Sequence, residues 1–299
     1  MCGIYGVIGQ GIVKADIDVF YQLGVANILR GSDASGIAFG NTRVNSTLYS
    51  TKSVGDFLSL YYTYTGDKIK RERFDSIMNT IFLGHNRHTT VGSYLPKAAH
   101  PYAFENFIGM HNGTIHSPHV RDLVSNNDGK DGGYLTDSQA LLSLIQRDGL
   151  DKTLCSLNDD KDAYALSIWD TKDKKLTLVR NSRRPLMFAV HMSRPVMYYS
   201  SEEEALDFVL QRSNIKYKKY EPQERTTFQI DPVKINSNGN RSWESYDLGA
   251  TTYKEPVTIS TPVYHKENND KNGTKYFIYE GKVKKEVSKE EWERSSLTI

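Results

Sequence analysis

Cys2 follows the initiator methionine, and so small a side chain at the second position permits removal of Met1. Removal leaves Cys2 with a free α-amine, a base whose ordinary pKa is about 7.7–8.0. Nucleophile and base then sit on one residue, and no His or Asp partner is required. Gly3 and Gly6 just after it allow other chain segments to come close. A second group is Gly84-His85-Asn86-Arg87-His88-Thr89-Thr90-Val91-Gly92. Arg87 offers a planar fork that grips a carboxylate with two hydrogen bonds, Thr90 adds a hydroxyl, and Gly92 lets the loop close. A third is His111-Asn112-Gly113, where a side-chain amide beside a backbone N–H makes the donor pair of an oxyanion hole. A fourth is Asp137, placed to hold an ammonium group. Each has a plainer reading: an incidental cysteine, a surface arginine, an Asn-Gly turn, an acid favoured by a helix dipole.

Six of the eight histidines fall between positions 85 and 119, which raises a metal site as a rival. His85-x-x-His88 could supply two ligands. No His-Glu-x-x-His helix, clustered cysteines or carboxylate at ligand spacing accompanies them, so the expectation is no metal and no cofactor.

The elements that must position these residues read as α+β. Residues 2–9 form a glycine-containing strand, and 16–30 an amphipathic helix. Residues 35–40 and 46–51 form a short strand pair, and 53–79 look helical but lack strong caps. Strands follow at 80–86 and 104–112. Thr136 with Gln139 makes a capping box opening a helix over 136–147. Cys155 falls in a helical stretch, where a buried apolar thiol is expected. Residues 163–170 and 175–181 read as a hairpin, with further strands at 186–191, 196–201 and 225–232. Ser201 and Glu204 are expected to cap the helix between the last two. Beyond 233 the chain turns polar, with one possible small hairpin at 276–287 around Glu280-Gly281. The expected organisation is one domain over 2–232 and a polar extension over 233–299, where Trp243 and Trp292 could form a docking surface. Strands in both halves with helices between and after argue for layered sheets. No dinucleotide or phosphate fingerprint is present; Gly6, Gly9 and Gly11 have the wrong spacing.

The 299 residues carry 38 Lys plus Arg against 36 Asp plus Glu, a net charge of +2. That balance disfavours a nucleic-acid partner. Two cysteines exclude a disulfide framework. No apolar run reaches membrane-spanning length, and the N-terminus lacks the pattern of a secretory signal, so the expectations are no membrane and a cytoplasmic protein.

Taken together and in order, these pieces resemble the glutaminase domain of class II glutamine amidotransferases, which are N-terminal-nucleophile hydrolases. The matching residues are Cys2-Gly3-Ile4-x-Gly6, Arg30-Gly31-Ser32-Asp33-Ala34-Ser35-Gly36, the 84–92 segment, His100-Pro101, His111-Asn112-Gly113, Thr136-Asp137, and Ala163-Tyr164-Ala165 followed by Arg183-Arg184-Pro185-Leu186. The pattern is nearest to the glucosamine-6-phosphate synthase and amidophosphoribosyltransferase branches.

The resemblance implies a four-layer αββα sandwich of two antiparallel sheets, the N-terminal-nucleophile hydrolase fold. It implies that Cys2 is the nucleophile with its own amine as base. Arg87 and Thr90 would hold the glutamine α-carboxylate, Asp137 and the Gly113 carbonyl the α-amino group. Asn112 and the Gly113 N–H would form the oxyanion hole. Arg30, Asp33 and His100 would support the site. His88 stands where an aromatic is common, and Val91 where the sugar-aminating branch often has His. About 67 residues follow position 232, fewer than the acceptor domains of this family need. The reading is therefore a glutaminase supplying ammonia to a separate synthetase or ligase. A free-standing amidase on glutamine or another γ-glutamyl compound is the alternative, and a non-catalytic binding protein on the same fold the second.

Overall fold

The computed structural model describes residues 2–43, 48–90, 92–236, 243–249, 257–259, 263–269, 273–280 and 283–290. In chain order the first half runs β1 (Gly3–Gly9), α1 (Lys14–Ala26), β2 (Ala34–Gly40), β3 (Leu48–Val54), α2 (Phe57–Thr65), α3 (Lys68–Phe74), β4 (Ile81–Arg87), β5 (Tyr102–Ala103), β6 (Phe107–Thr114), α4 (Pro118–Arg121) and α5 (Asp137–Asp148). The second runs α6 (Leu150–Cys155), β7 (Ala163–Asp170), β8 (Leu176–Arg180), β9 (Met187–His191), β10 (Val196–Ser200), α7 (Glu203–Arg212), β11 (Tyr217–Glu221), β12 (Thr226–Ile230), β13 (Trp243–Asp247) and β14 (Val257–Ile259). Three further strands are β15 (Val263–Asn269), β16 (Gly273–Glu280) and β17 (Val283–Val287).

Two antiparallel sheets make the two middle layers. The larger has the order β14-β11-β9-β10-β1-β4-β2-β3, the other β13-β12-β8-β7-β6-β5. Every residue of β1 is buried, because both faces of its sheet are covered. Tyr5 and Val7 join Phe20, Leu23, Phe57 and Leu206 in a core against the helices. Ile4 and Ile8 join Met110, Ala165 and Leu178 in a core between the sheets. A third core packs β6 and β7 against α5, through Leu141, Leu142 and Ile145. The result is the αββα sandwich that the sequence resemblance implies.

Period-two side-chain alternation then fixes the site. On β4, Ile81 and Leu83 face the inter-sheet core, so His85 and Arg87 point the same way. On β6, Ile108 and Met110 face it, which aims Asn112 inward. Cys2 shares the parity of Ile4. The inter-sheet layer is thus apolar through its middle and polar at this end.

Several expectations are corrected. Residues 53–79 are not one helix. β3 runs on to Val54, and two short helices follow, each capped by an aspartate: Asp56 accepts from the Ser59 N–H at 2.8 Å and Asp67 from the Lys70 N–H at 3.0 Å. Ser201 does not cap α7. Its hydroxyl accepts the Ile4 N–H at 2.9 Å, holding the start of β1, and Glu202 occupies the cap position without a side-chain bond. Cys155 is exposed, not buried, because it closes the last turn of α6 on its outer side. The sheets continue past residue 232. β13 pairs with β12, and β14 with β11. Trp243 therefore offers no docking surface: it is buried against Phe188 and Tyr220. Trp292 lies outside the described residues. In the tail, β16 and β17 pair from Tyr276↔Val287 to Glu280↔Val283, and β15 adds a third strand.

Candidate active site

Gly3 pairs with Asn86 in the ladder between β1 and β4, so Cys2 lies beside the end of β4 at Arg87. The Cys2 thiol donates to the His88 carbonyl at 3.5 Å. Burial pushes the thiol pKa up. The bond to His88 and the Arg87 charge act in the opposite sense but do not outweigh it. The resting thiol is therefore protonated, and chemistry at sulfur needs a base that takes this proton.

Arg87 is buried, and one end of its fork donates to the Ser93 carbonyl at 2.7 Å. The Ser93 N–H in turn donates to the Leu135 carbonyl at 3.0 Å. Gly92 makes this docking possible. It has φ +87°, and a Cβ there would lie 2.1 Å from the Leu135 oxygen. The loop after β4 is thus fastened to the start of α5. Thr136 caps that helix, accepting from the Gln139 N–H at 3.0 Å, worth about 1 kcal/mol. Gln139 reciprocates one residue earlier than the expected capping box, accepting from the Leu135 N–H at 3.0 Å. Asp137 follows in the first turn, buried, accepting from the Ile115 N–H at 2.8 Å and the Ser138 N–H at 2.9 Å. Its charge is near enough to act on the Cys2 thiol.

Asn112 and Gly113 pair with Ala165 and Tyr164 of β7. They are strand residues, so the Asn-Gly turn reading falls. A Cβ on Gly113 would lie 1.8 Å from the Ala163 oxygen and 2.5 Å from His111 Nε2. Asn112 is buried, yet neither atom of its amide has a hydrogen-bond partner among the described residues. An unpaired buried amide is costly, and at an end of the inter-sheet layer it marks a place where a ligand oxygen fits. His85 Nε2 lies 3.1 Å from the His111 carbonyl and ties β4 to β6 beside these residues. Thr90 is less firmly placed: its hydroxyl stands 3.5 Å from that of Thr114, next to Gly113.

The remaining expected residues surround this set. Arg30 pairs with Glu202 at 2.7 Å. Asp33 accepts from the Thr89 N–H at 2.7 Å and lies 3.6 Å from His88 Nδ1, so His88 serves the loop through Asp33 rather than by stacking. Val91 lies outside the described residues. Neither ring nitrogen of His100 has a hydrogen-bond partner among the described residues. It stacks on His85 with ring centroids 3.9 Å apart and meets Tyr102 edge-on. Among the described residues no group of three His, Cys, Asp or Glu could hold a metal ion; His85 and His100 form a buried stack, His111 is buried and bonded to Ser138, and His88, His116 and His119 are exposed.

No protein-family model matches the chain. It is 27% identical over 214 residues to the glutamine–fructose-6-phosphate aminotransferase (isomerizing) of Rhizobium meliloti strain 1021, covering 69% of this chain and 32% of that protein. It is 29% identical over 150 residues to the enzyme of that name from Bartonella quintana, covering 49% and 22%. The fold matches the glutamine phosphoribosylpyrophosphate amidotransferase of B. subtilis with a TM-score of 0.57 at 18% identity, covering 84% of this chain and 50% of that one. A structure of the allosteric regulatory enzyme of purine biosynthesis gives 0.59 at 19%, with the same coverage. The resemblance to class II glutamine amidotransferases holds in sequence and in fold. The chain spans no more than about a third of the length of these curated relatives.

Sequence reasoning missed several residues of this amidotransferase-like site. Glu202 and Ser93 gave no signal, since their partners Arg30 and Arg87 meet them only through the fold. Tyr102 bridges the Ala98 carbonyl at 2.6 Å and the Thr136 hydroxyl at 2.9 Å. Its only sequence cue was its place after His100-Pro101. Among the described residues no helix is long and apolar enough to cross a membrane.

Proposed function

We propose that this chain hydrolyses glutamine to glutamate and ammonia through a thioester on Cys2, and passes the ammonia to an acceptor enzyme. The observation that carries this reading is the unpaired, buried Asn112 amide beside Gly113, at the end of the inter-sheet layer that also holds Cys2 and Arg87, with Asp137 of α5 near enough for its charge to act on the Cys2 thiol.

Each group has a task its environment suits. Arg87, held in place by its bond to Ser93, takes the α-carboxylate together with Thr90. Asp137, with the Gly113 carbonyl, takes the α-ammonium. The γ-carbonyl oxygen lies against the Asn112 amide and the Gly113 N–H. The α-amine of Cys2, freed by loss of Met1, takes the thiol proton as sulfur attacks the γ-carbon. Met1 lies outside the described residues. Asn112 and Gly113 stabilise the oxyanion, where preorganised donors are worth most. The C–N bond then breaks and the proton goes to the departing nitrogen, which leaves as ammonia. Water attacks the thioester, glutamate leaves and the thiol is restored.

The test is glutamine hydrolysis by the purified chain, with intact-mass analysis of the active species. Glutamate release by a form lacking Met1, lost in Cys2→Ala, supports the reading. Full activity with Met1 retained overturns the amine's role. Stimulation by an added acceptor enzyme supports the coupling. Partner-independent turnover above about 10 s⁻¹, the enzyme median, favours a free-standing amidase instead.

A further inference from the structure

Lys52 lies on β3, the edge strand of the larger sheet. It shares the parity of Leu48, which packs on the inter-sheet core, so its side chain reaches inward. Its ammonium donates to the carbonyls of Ala99 at 2.7 Å, Pro101 at 3.1 Å and Lys97 at 3.4 Å, and stands 4.7 Å from the centre of the Tyr102 ring. No carboxylate pairs with it among the described residues. A half-buried lysine ordinarily takes an acid partner. This one is satisfied by three backbone oxygens and an aromatic face, all on one strap of chain.

That strap, residues 97–102, closes the loop that begins at Arg87. Its far end is fixed by Tyr102, through the Ala98 carbonyl and the Thr136 hydroxyl that caps the helix bearing Asp137. Its near end is fixed by Arg87, Ser93 and Leu135. Lys52 is the tie that comes from the other sheet.

We propose that Lys52 is a positioning residue for substrate: by pinning the 97–102 strap it holds the Arg87–Thr90 loop and the Asp137 helix start at binding distance, without touching substrate itself. The proposal deepens the glutamine reading above and rests on it. Lys52 therefore acts on binding, not on the oxyanion or on sulfur.

Its charge can be titrated. Burial pushes the Lys52 ammonium down to about 8. Facing it from the strap are Lys97, His100 and Tyr102. Tyr64 of α2 and Lys70 of α3 line a hollow on the same strand. Burial holds His100 well below the usual histidine range and Tyr102 well above the usual tyrosine range. Tyr64 is also raised by burial. None of these three aromatic groups titrates near pH 8.

The experiment is steady-state glutaminase kinetics of wild type, Lys52→Met and Lys52→Arg, with thermal unfolding of each. Lys52→Met should raise KM for glutamine about tenfold, the size of one lost charge-assisted hydrogen bond, and leave kcat within about threefold. In wild type, KM should climb as pH passes about 8 and the ammonium loses its charge. Lys52→Arg, which stays charged, should lack the climb near pH 8 and keep only the later one, at higher pH, where glutamine's own α-ammonium loses its charge. An unchanged KM in Lys52→Met overturns the proposal. So does a fall in kcat that tracks a lowered Tm, or a climb near pH 8 that is as large in Lys52→Arg as in wild type. If wild type itself neither hydrolyses glutamine nor reacts at Cys2 with a glutamine-like electrophile, the functional reading fails first, and the two failures are separable.

Discussion

Asn112→Ala should lower turnover while leaving the protein as stable as before, or more so. Most losses of buried polar side chains do the reverse, because they strand a partner. Here the Asn112 amide strands nothing: neither its oxygen nor its nitrogen has a hydrogen-bond partner among the described residues. Keeping an unpaired polar group buried costs about 1–3 kcal/mol. Removing it should recover part of that, set against the packing lost from a side chain buried in β6 opposite Ala165. The net effect on stability should lie between about zero and +1 kcal/mol, since both terms are of that order. Loss of one oxyanion donor costs about 10²–10³ in kcat. The assay pairs glutamate release at saturating glutamine with chemical unfolding of both proteins. KM should change little, because the α-carboxylate and α-ammonium contacts are intact. A variant that loses activity in proportion to lost folded protein would falsify the oxyanion assignment. So would one that keeps full turnover.

Four further outcomes follow from the same structure. Gly113→Ala puts a methyl 1.8 Å from the Ala163 carbonyl and should unfold or inactivate the chain, read by Tm and expression; a stable, active variant would mean that β6 and β7 are spaced differently. A glutamine-like electrophile should label Cys2, protected by glutamine, whereas a small neutral alkylating agent should reach exposed Cys155 first; peptide mapping that finds glutamine-protectable label on Cys155 contradicts the site. Burial lowers the pKa of His85 to about 3 and holds His100 and His111 below the ordinary value of 6.5. These folded values lie below the unfolded ones, so the unfolded chain binds more protons. Stability should then be fully present above pH 6.5 and fall steadily as pH drops toward about 3; a flat Tm over that window would refute burial of these three histidines. Gly92→Ala, forced to φ +87° and against Leu135, should raise KM for glutamine more than it lowers kcat.

The residue types of the site were legible in the sequence, but their inward parity was not. The strands were read at 80–86 and 104–112, which leaves Arg87 in a loop, and β4 is buried on both faces, so its residues alone do not mark the face that meets the other sheet. The cap at Thr136 was legible because it is local, its bond to Gln139 spanning one helical turn. The αββα layering and the roles of the site residues came through the family resemblance, since alternation shows a face but not which sheet lies across from it. What escaped the sequence depends on segments distant along the chain. Ser201 looked like a helix cap because its neighbours are local, but the Ile4 N–H, from the opposite end of the chain, claims its hydroxyl. Trp243 looked like a surface aromatic because its stretch is polar, until β13 pairs with β12 and buries it. Lys52 had no motif at all; its three acceptors are backbone carbonyls, which carry no residue identity for a sequence pattern to show. Sequence thus determined which groups are available. Only tertiary packing decided which of them meet, because a hydrogen bond or a buried contact is won by whichever distant partner the fold brings within about 3 Å.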